Sequence, residues 1–318
     1  MNVLQASVTK TSGITSISVT DSHTAPTSTA MITATNTSLS LGDRVSITLG
    51  YTGNTNRVFS GYVKSVELKA AERVYTVTCS NAMIRAVDFF IASSNPDQPY
   101  TWWGVKAEKL VKDILAMAGL TNYRGANSHF TFGINNPVEV NLTGAYDYAK
   151  FISDILAWTV FADDDGKCYF IDRKPYPTSG DKSMATLTNS NISTIQYTVS
   201  DRDLRNRVVV YGSEGIYAEA KKASPFLPAG FYKSCVIAAP GIIDSTAVAK
   251  QTANYNLAKL NRLTYKCNVT ALGNPLLQCR QCVTVSKPDI GVNGKWYIYG
   301  IEHSFSKNGY LLNLELRK

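Results

Sequence analysis

Cys279-Arg280-Gln281-Cys282 sets two thiols at the spacing of a zinc knuckle or a redox pair. Either chemistry needs more: a second Cys pair or a nearby His pair to complete a tetrahedral site, or a βαβ frame around the thiols. The sequence offers neither, and the stretch reads as a strand or the entry to one. Asp163-Asp164-Asp165-Gly166 offers carboxylates for calcium, but a calcium loop alternates its acids and ends on a distal Glu. Here the acids are consecutive and Lys167 follows, so a hairpin corner is the reading. The histidines are three, His23, His129 and His303, and no Gly-x-Ser-x-Gly elbow, P-loop or dinucleotide fingerprint accompanies them. Nothing singles out a carboxylate pair for glycoside hydrolysis. Trp102-Trp103, after Pro99-Tyr100, presents ring faces that suit a sugar or a base; at a junction between segments, packing is the plainer use. We therefore expect no catalytic residues, no cofactor and no metal site, and a chain that is not an enzyme.

The elements that would position such groups are mostly strands. From the N-terminus to about residue 90, apolar residues alternate with Ser and Thr, as in Val45, Ile47 and Leu49, and turns fall at Leu41-Gly42-Asp43 and Tyr51-Thr-Gly53-Asn54. Asn95-Pro96-Asp97-Gln98-Pro99 breaks the pattern and marks a boundary. A helix follows with Ala107, Leu110, Val111, Ile114, Leu115 and Ala118 on one face, stopped by Gly119. A second carries Ala145, Tyr148, Ala149, Ile152, Ile155 and Leu156. A hairpin around the Asp-Gly corner completes a small α+β unit. Beyond Asp181 the chain returns to strands, with a third helix to Leu260 capped by Asp244 or Ser245.

The 318 residues are 44% hydrophobic and 18% charged, which suits ordinary globular domains rather than disorder. The formal charge is +8, but Lys and Arg are scattered with acids among them, so no nucleic-acid tail is read. Six cysteines are too sparse for a disulfide scaffold. No signal pattern and no bilayer-length apolar run is found, so folding in a reducing cytoplasm and no membrane insertion are expected.

The strongest feature is repetition between the two ends. Leu39 stands to Val45 as Leu277 stands to Val283. Val63-Lys-Ser-Val66-Glu67 superposes on Ile298-Tyr-Gly-Ile301-Glu302, and Tyr75 follows Glu67 by the same step as Tyr310 follows Glu302. The expected fold is β-dominated α+β: two similar β-barrels from the chain ends with an inserted α+β unit. The expected domains are 1–94, 95–190 and 191–318, the last including one helix.

Strings along the whole chain resemble the baseplate hub proteins of contractile phage tails, the late control protein D group, and the hubs of related injection machines. They are Phe59-Ser-Gly61-Tyr-Val-Lys-Ser-Val-Glu, Gly104-Val-Lys-Ala-Glu with Ile114 to Leu120, Phe151 to Ala157 with Asp165-Gly166-Lys167, Asp203-Leu-Arg-Asn206-Arg-Val-Val-Val-Tyr-Gly212, Gly273-Asn274-Pro275, and Trp296-Tyr-Ile with Glu302-His303 and Lys307-Asn-Gly309-Tyr310. The Asp203–Gly212 string resembles the strand that opens the second barrel. Gly42-Asp43, before the Val-x-Val strand of the first copy, is replaced near Arg280-Gln281 in the second. The residues of structural weight on this resemblance are Gly42, Asp43, Phe59, Gly61, Tyr75, Asn206, Gly273, Asn274, Pro275, Trp296, Glu302, Gly309 and Tyr310.

The resemblance implies tube-type barrels and a structural late protein of the virion. It implies a homotrimer that joins a hexameric tail tube to a trimeric spike, since two barrels in each of three chains imitate a ring of six. Further implied partners are baseplate wedge proteins and the tape-measure protein or DNA passing through the lumen. Assembly in the host cytoplasm into the tail baseplate is expected, with spike and lysozyme domains on other chains and the basic excess facing away from the channel. Alternatives are a tail-associated cell-wall hydrolase, a tube-end adaptor of a non-contractile tail, and a carbohydrate-binding module around Trp102 and Trp103. A Gly61→Val change is expected to impair ring assembly more than monomer folding.

Overall fold

The computed structural model describes residues 3–95 and 97–318. Pro96, inside the expected boundary, lies outside the described residues, as do Met1 and Asn2. Strands hold 48% of the chain and helices 15%, so the fold is β-dominated as expected.

The first β-unit consists of β1 (Leu4–Val8), β2 (Thr11–Ser22), β3 (Thr29–Thr37), β4 (Arg44–Tyr51), β5 (Asn54–Lys69) and β6 (Val74–Asn81). Val45, Ile47 and Leu49 are wholly buried, as their alternation predicts. The strands lie in the order β1-β4-β5-β6-β3-β2, and β1 also pairs β2 at Val8↔Thr11, so the pairing returns to its starting strand.

The middle of the chain folds around helices α1 (Ile84–Asp88), α2 (Ala107–Met117) and α3 (Ala145–Ile155). Ala107, Leu110, Val111, Ile114 and Leu115 of α2 are all buried on one face. Gly119 ends that helix with φ +75°, and its N–H and that of Leu120 close onto the last-turn carbonyls of Ala116 and Leu115. A hairpin of β7 (Thr159–Ala162) and β8 (Cys168–Ile171) follows, with Gly166 at φ +76° in its corner.

The second β-unit contains β9 (Ser183–Leu187) and β10 (Ile192–Ser200). It then breaks off for β11 (Arg207–Tyr211), β12 (Tyr217–Lys221), β13 (Ser234–Ala238) and α4 (Thr246–Leu260). It resumes with β14 (Thr264–Leu272), β15 (Cys282–Lys287), β16 (Val292–Ser306) and β17 (Gly309–Arg317). The cap of α4 is Ser245, whose hydroxyl accepts from the Val248 N–H at 3.3 Å.

The strand expected to open the second barrel lies elsewhere. β11 sits in a separate three-stranded sheet between β12 and β13. Val208 and Val210 bury into the same core as α2, α3 and the β7–β8 hairpin, together with Val248, Ala249 and Ala253 of α4. Val208 and Val210 share one face of β11, and the middle unit with α4 covers it. Conversely β9, expected in the inserted unit, pairs β15.

Counted without that excursion, the second unit repeats the first. Its order is β9-β15-β16-β17-β14-β10, strand for strand that of β1-β4-β5-β6-β3-β2. The register repeats too: Val45 faces Gly61 and Val283 faces Trp296. Val66 faces Val77 and Ile301 faces Leu314. One bulge falls between Val63 and Ser65, its counterpart between Ile298 and Gly300. The copies differ at their first strands, since β1 runs antiparallel to β4 but β9 runs parallel to β15.

The same register corrects one equivalence. Tyr75 faces Leu68, the residue after Glu67, whereas Tyr310 faces Phe305, three after Glu302. The first hairpin crosses at residues 70–73 and the second at 307–308, so the counterpart of Tyr75 is Leu312. Equal spacing in the chain had hidden a difference in turn length.

The two units are joined edge to edge. β2 pairs β16 antiparallel from Ser16↔Ser306 to Ser22↔Gly300. One apolar cluster runs through both, from Ile17 and Phe59 to Trp296 and Leu316.

Candidate functional site

The polar side chains that the fold gathers lie where both β-units meet the middle unit. Their centre is Arg280, in the turn before β15. That turn copies the one before β4. In the first, the Asp43 N–H donates to Ser40 O at 3.1 Å and the Ser40 N–H to Asp43 Oδ2 at 3.2 Å. In the second, the Gln281 N–H donates to Gln278 O at 3.4 Å and the Gln278 N–H to Gln281 Oε1 at 3.1 Å. Gly42 has φ +81° and Arg280, its counterpart, φ +71°. The replaced Gly-Asp thus leaves the turn intact, with an arginine in the left-handed conformation that glycine adopts without strain.

The arginine fits because its side chain is held. Its head is buried, donating to Asp21 Oδ2 at 2.8 Å and to Ser22 O at 2.9 Å. The guanidinium lies 4.3 Å from the Phe161 ring centre. One side chain therefore ties the second β-unit to the end of β2 and to the β7–β8 hairpin. Removing a partner from a buried ion pair costs more than the pair contributes, which makes this a joint that cannot open cheaply.

Arg173 forms the second tie. Its Nε donates to Arg280 O at 2.9 Å, and its Nη1 donates to both carboxylate oxygens of Asp181 at 2.9 Å. The guanidinium sits 4.5 Å from the Tyr297 ring centre, and Nη2 reaches Cys282 Sγ at 3.5 Å. The Tyr297 hydroxyl hydrogen-bonds His23 Nδ1 at 2.8 Å, and His23 stacks on Tyr299. Burial and the nearby Arg280 hold the His23 pKa down at about 3, so the ring is neutral.

The acidic corner is a clamp and not a calcium loop. Asp163 Oδ1 accepts the N–H groups of Asp165 and Lys167, each at 2.9 Å, which closes the hairpin. Asp164 Oδ2 accepts from Gln278 Nε2 at 2.7 Å, reaching the second β-unit, and Asp165 pairs with Arg57 of the first. Burial, then the charges of Asp21 and Asp163, push the Asp164 carboxyl up to about 7. An acid raised in the folded state binds protons that the unfolded chain has lost, so it lowers stability as pH rises from about 4 to 7. Asp164→Asn should remove that decline and raise the midpoint of urea unfolding at pH 8 more than at pH 5. A variant whose midpoint shifts equally at both would show that Asp164 does not titrate in this range.

Cys279 and Cys282 are free and buried, and burial raises both thiols above the ordinary range. Among the described residues no cluster of His, Cys, Asp or Glu suits a metal ion, and no helix is long and apolar enough to cross a membrane. Trp102 packs on the middle core and donates to Asp113 at 3.2 Å, while Trp103 is exposed.

The residues singled out from sequence scatter over the fold. Gly42 and Asp43 hold the first turn, with Asp43 also paired to Lys10. Phe59 and Gly61 are buried in β5. Tyr75 stands at the β5–β6 hairpin. Asn206 braces the loop before β11, its amide donating to Phe231 O and accepting the Lys233 N–H. Gly273 lies against the Tyr310 ring, and Tyr310 shares a 2.6 Å hydrogen bond with His303. Asn274 Oδ1 accepts the Leu276 N–H, and Pro275 O accepts from Asn56 Nδ2 of the first unit at 3.2 Å. Trp296 fills the second core, and Gly309 turns the last hairpin at φ +139°. Of these, Glu302 stands in the β2–β16 seam, accepting from Ser18 at 2.8 Å. Asp21, Arg173, Asp181 and Arg280 were missed as ties. The signal for Arg280 was its place in the repeat, a non-glycine where the first copy has Gly42.

A family model described as YQBQ-like matches residues 155–317. No curated protein matches the chain. The fold is that of phage tail proteins of known structure. A tail protein from Neisseria meningitidis MC58 is 13% identical, with TM-score 0.72 over 99% of this chain and 97% of its own. The 43 kDa tail protein of prophage MuSo2 from Shewanella oneidensis is 14% identical, with TM-score 0.69 over 99% and 98%. An E. coli type VI secretion component, described as similar to the T4 bacteriophage tail proteins gp27 and gp5, is 11% identical, with TM-score 0.59 over 98% and 76%.

Proposed function

The chain belongs to the YQBQ-like family, and from that footing we propose that it is a structural, hub-type protein of a phage tail baseplate. One observation carries this reading: a single chain holds the same six-strand order twice, in the same register. Each copy is a tube-type unit on this reading, the first closed by the β1–β2 pairing and the second open along β10. Three chains then present six like units, which matches a sixfold tube on one side to a threefold spike on the other. Residues 82–171 and 204–260 form the body that hangs between the barrels and meets other baseplate proteins, and the buried ties around Arg280 keep it from swinging. Tail tube, spike, wedge and tape-measure proteins are the partners of this reading, and the virion tail is its location. The chain works by shape and not by catalysis. The fold of tail proteins and a polar cluster spent on structural contacts support this over a cell-wall hydrolase.

The test is the copy number in purified tails, together with the mass of the isolated assembly. Three chains of 34.7 kDa each are expected, with no clearing of peptidoglycan in a zymogram. Six copies, or a cleared band from the purified chain, would overturn the proposal.

A further inference from the structure

The seam between the two β-units has two unused halves on the same chain. At the made seam, β2 lies against residues 300–306 of β16. The counterpart of β2 is β10, since Ile17 faces Ile32 and Ile195 faces Val269 at matching places in their sheets. The counterpart of residues 300–304 is Ser65–Lys69 of β5. β10 ends the sheet, with β14 on one side only. β4 and the turn before it pair β5 only as far as Val63, and no strand pairs that edge beyond it among the described residues.

Burial distinguishes the made seam from the open one. Val19, Ile301 and His303 are 2%, 4% and 3% exposed. Of their counterparts, Tyr197 and Leu68 are 42% and 51% exposed and Val66 is half-buried, and Val199 beside them is 47% exposed. An apolar strand left open at a sheet edge invites another chain. The chemistry also matches: Ser18 donates to Glu302 at the made seam, and the counterparts Gln196 and Glu67 are again a donor and a carboxylate.

We propose that β10 of one chain pairs antiparallel with Ser65–Lys69 of a second copy, in the register Ser200↔Ser65, Val199↔Val66, Thr198↔Glu67, Tyr197↔Leu68 and Gln196↔Lys69. This deepens the ring reading above and rests on it for the number of chains. The contact is head to tail, so the made and open seams alternate around a closed ring. A slip by one residue would turn Tyr197 and Leu68 to opposite faces, which fixes the register.

The test is oxidation of the full-length chain carrying Lys69→Cys and Gln196→Cys, both exposed sites. Ser18→Cys with Ser304→Cys is the intrachain control at the equivalent pair. Lys69→Cys with Tyr197→Cys is the out-of-register control. The expected result is covalent multimers from the first pair, an intrachain bond in the second, and neither in the third. A ladder that closes at three supports both the joint and the ring. One that runs past three keeps the joint and overturns the ring. A three-chain mass with the first pair still reduced overturns the joint and leaves the ring. A reduced monomer at every concentration overturns the joint, and the copy number in tails then decides the ring.

Discussion

Arg280→Ala should destabilise the chain by about 3–5 kcal/mol, the range for removing one partner of a buried ion pair. The cost has three sources on one residue. Asp21 loses its 2.8 Å partner, the Ser22 carbonyl loses a charged donor, and the Phe161 ring loses the cation above it. Arg280→Gly should cost about 1 kcal/mol less, because glycine relieves the φ +71° backbone. The difference between the two variants isolates the strain from the charge. Asp21→Asn with Arg280→Ala should cost less than the sum of the singles, because each single leaves the other charge buried without compensation. Urea unfolding followed by fluorescence measures all four. Additive losses would mean that the two residues do not act as a pair. Limited proteolysis should show the middle body of Arg280→Ala cut before the β-units are, since that arginine ties the body to both.

Gly61→Val should cost about 3 kcal/mol or more and act on the monomer. This reverses the expectation that Gly61 serves ring assembly. The residue is buried in β5, and a Cβ built there meets Ser80 O at 2.3 Å and Phe59 Cζ at 2.7 Å. The first obstacle is backbone, so side-chain repacking cannot relieve it. In the second copy Phe59-x-Gly61 becomes Gly294-x-Trp296, the large residue and the glycine exchanging places on one strand face, and there the glycine is exposed, with only the end of the Lys318 side chain near a Cβ. Gly42→Ala is the contrast. Its φ is +81°, but nothing lies within 4 Å of a Cβ there, so only backbone strain of about 1 kcal/mol is at stake. Thermal unfolding of the monomer ranks the two. Equal melting temperatures for wild type and Gly61→Val, with assembly alone lost, would restore the original expectation.

The repeat was legible because it lives in local signals. Alternating apolar residues, the turn before the Val-x-Val strand and the Val-x-x-Val-Glu string all fix neighbours close in the chain, and they located the last three strands of each copy. Boundaries fared worse for a physical reason. Arg207–Tyr211 and Ser183–Leu187 are both short apolar strands, and a strand's own sequence does not say which sheet its free edge will join. The Tyr75–Tyr310 equivalence failed because spacing along a hairpin counts turn residues as well as strand residues. The joint was illegible as a cluster: Asp21, Arg280 and the Arg173–Asp181 pair lie far apart in the chain, and only the fold brings them together. Cysteines flanking Arg280 drew the eye to metal chemistry, while the residue between them does the joining.

The central claim is that one chain contributes two equivalent β-units to a single ring. Single-particle imaging of the assembled protein tests it most directly. The account predicts a threefold ring around an open channel, in which six β-units superpose on one another by rotations of about 60°. A particle in which the N-terminal and C-terminal units occupy different radii, or in which only one of them lines the channel, would contradict it.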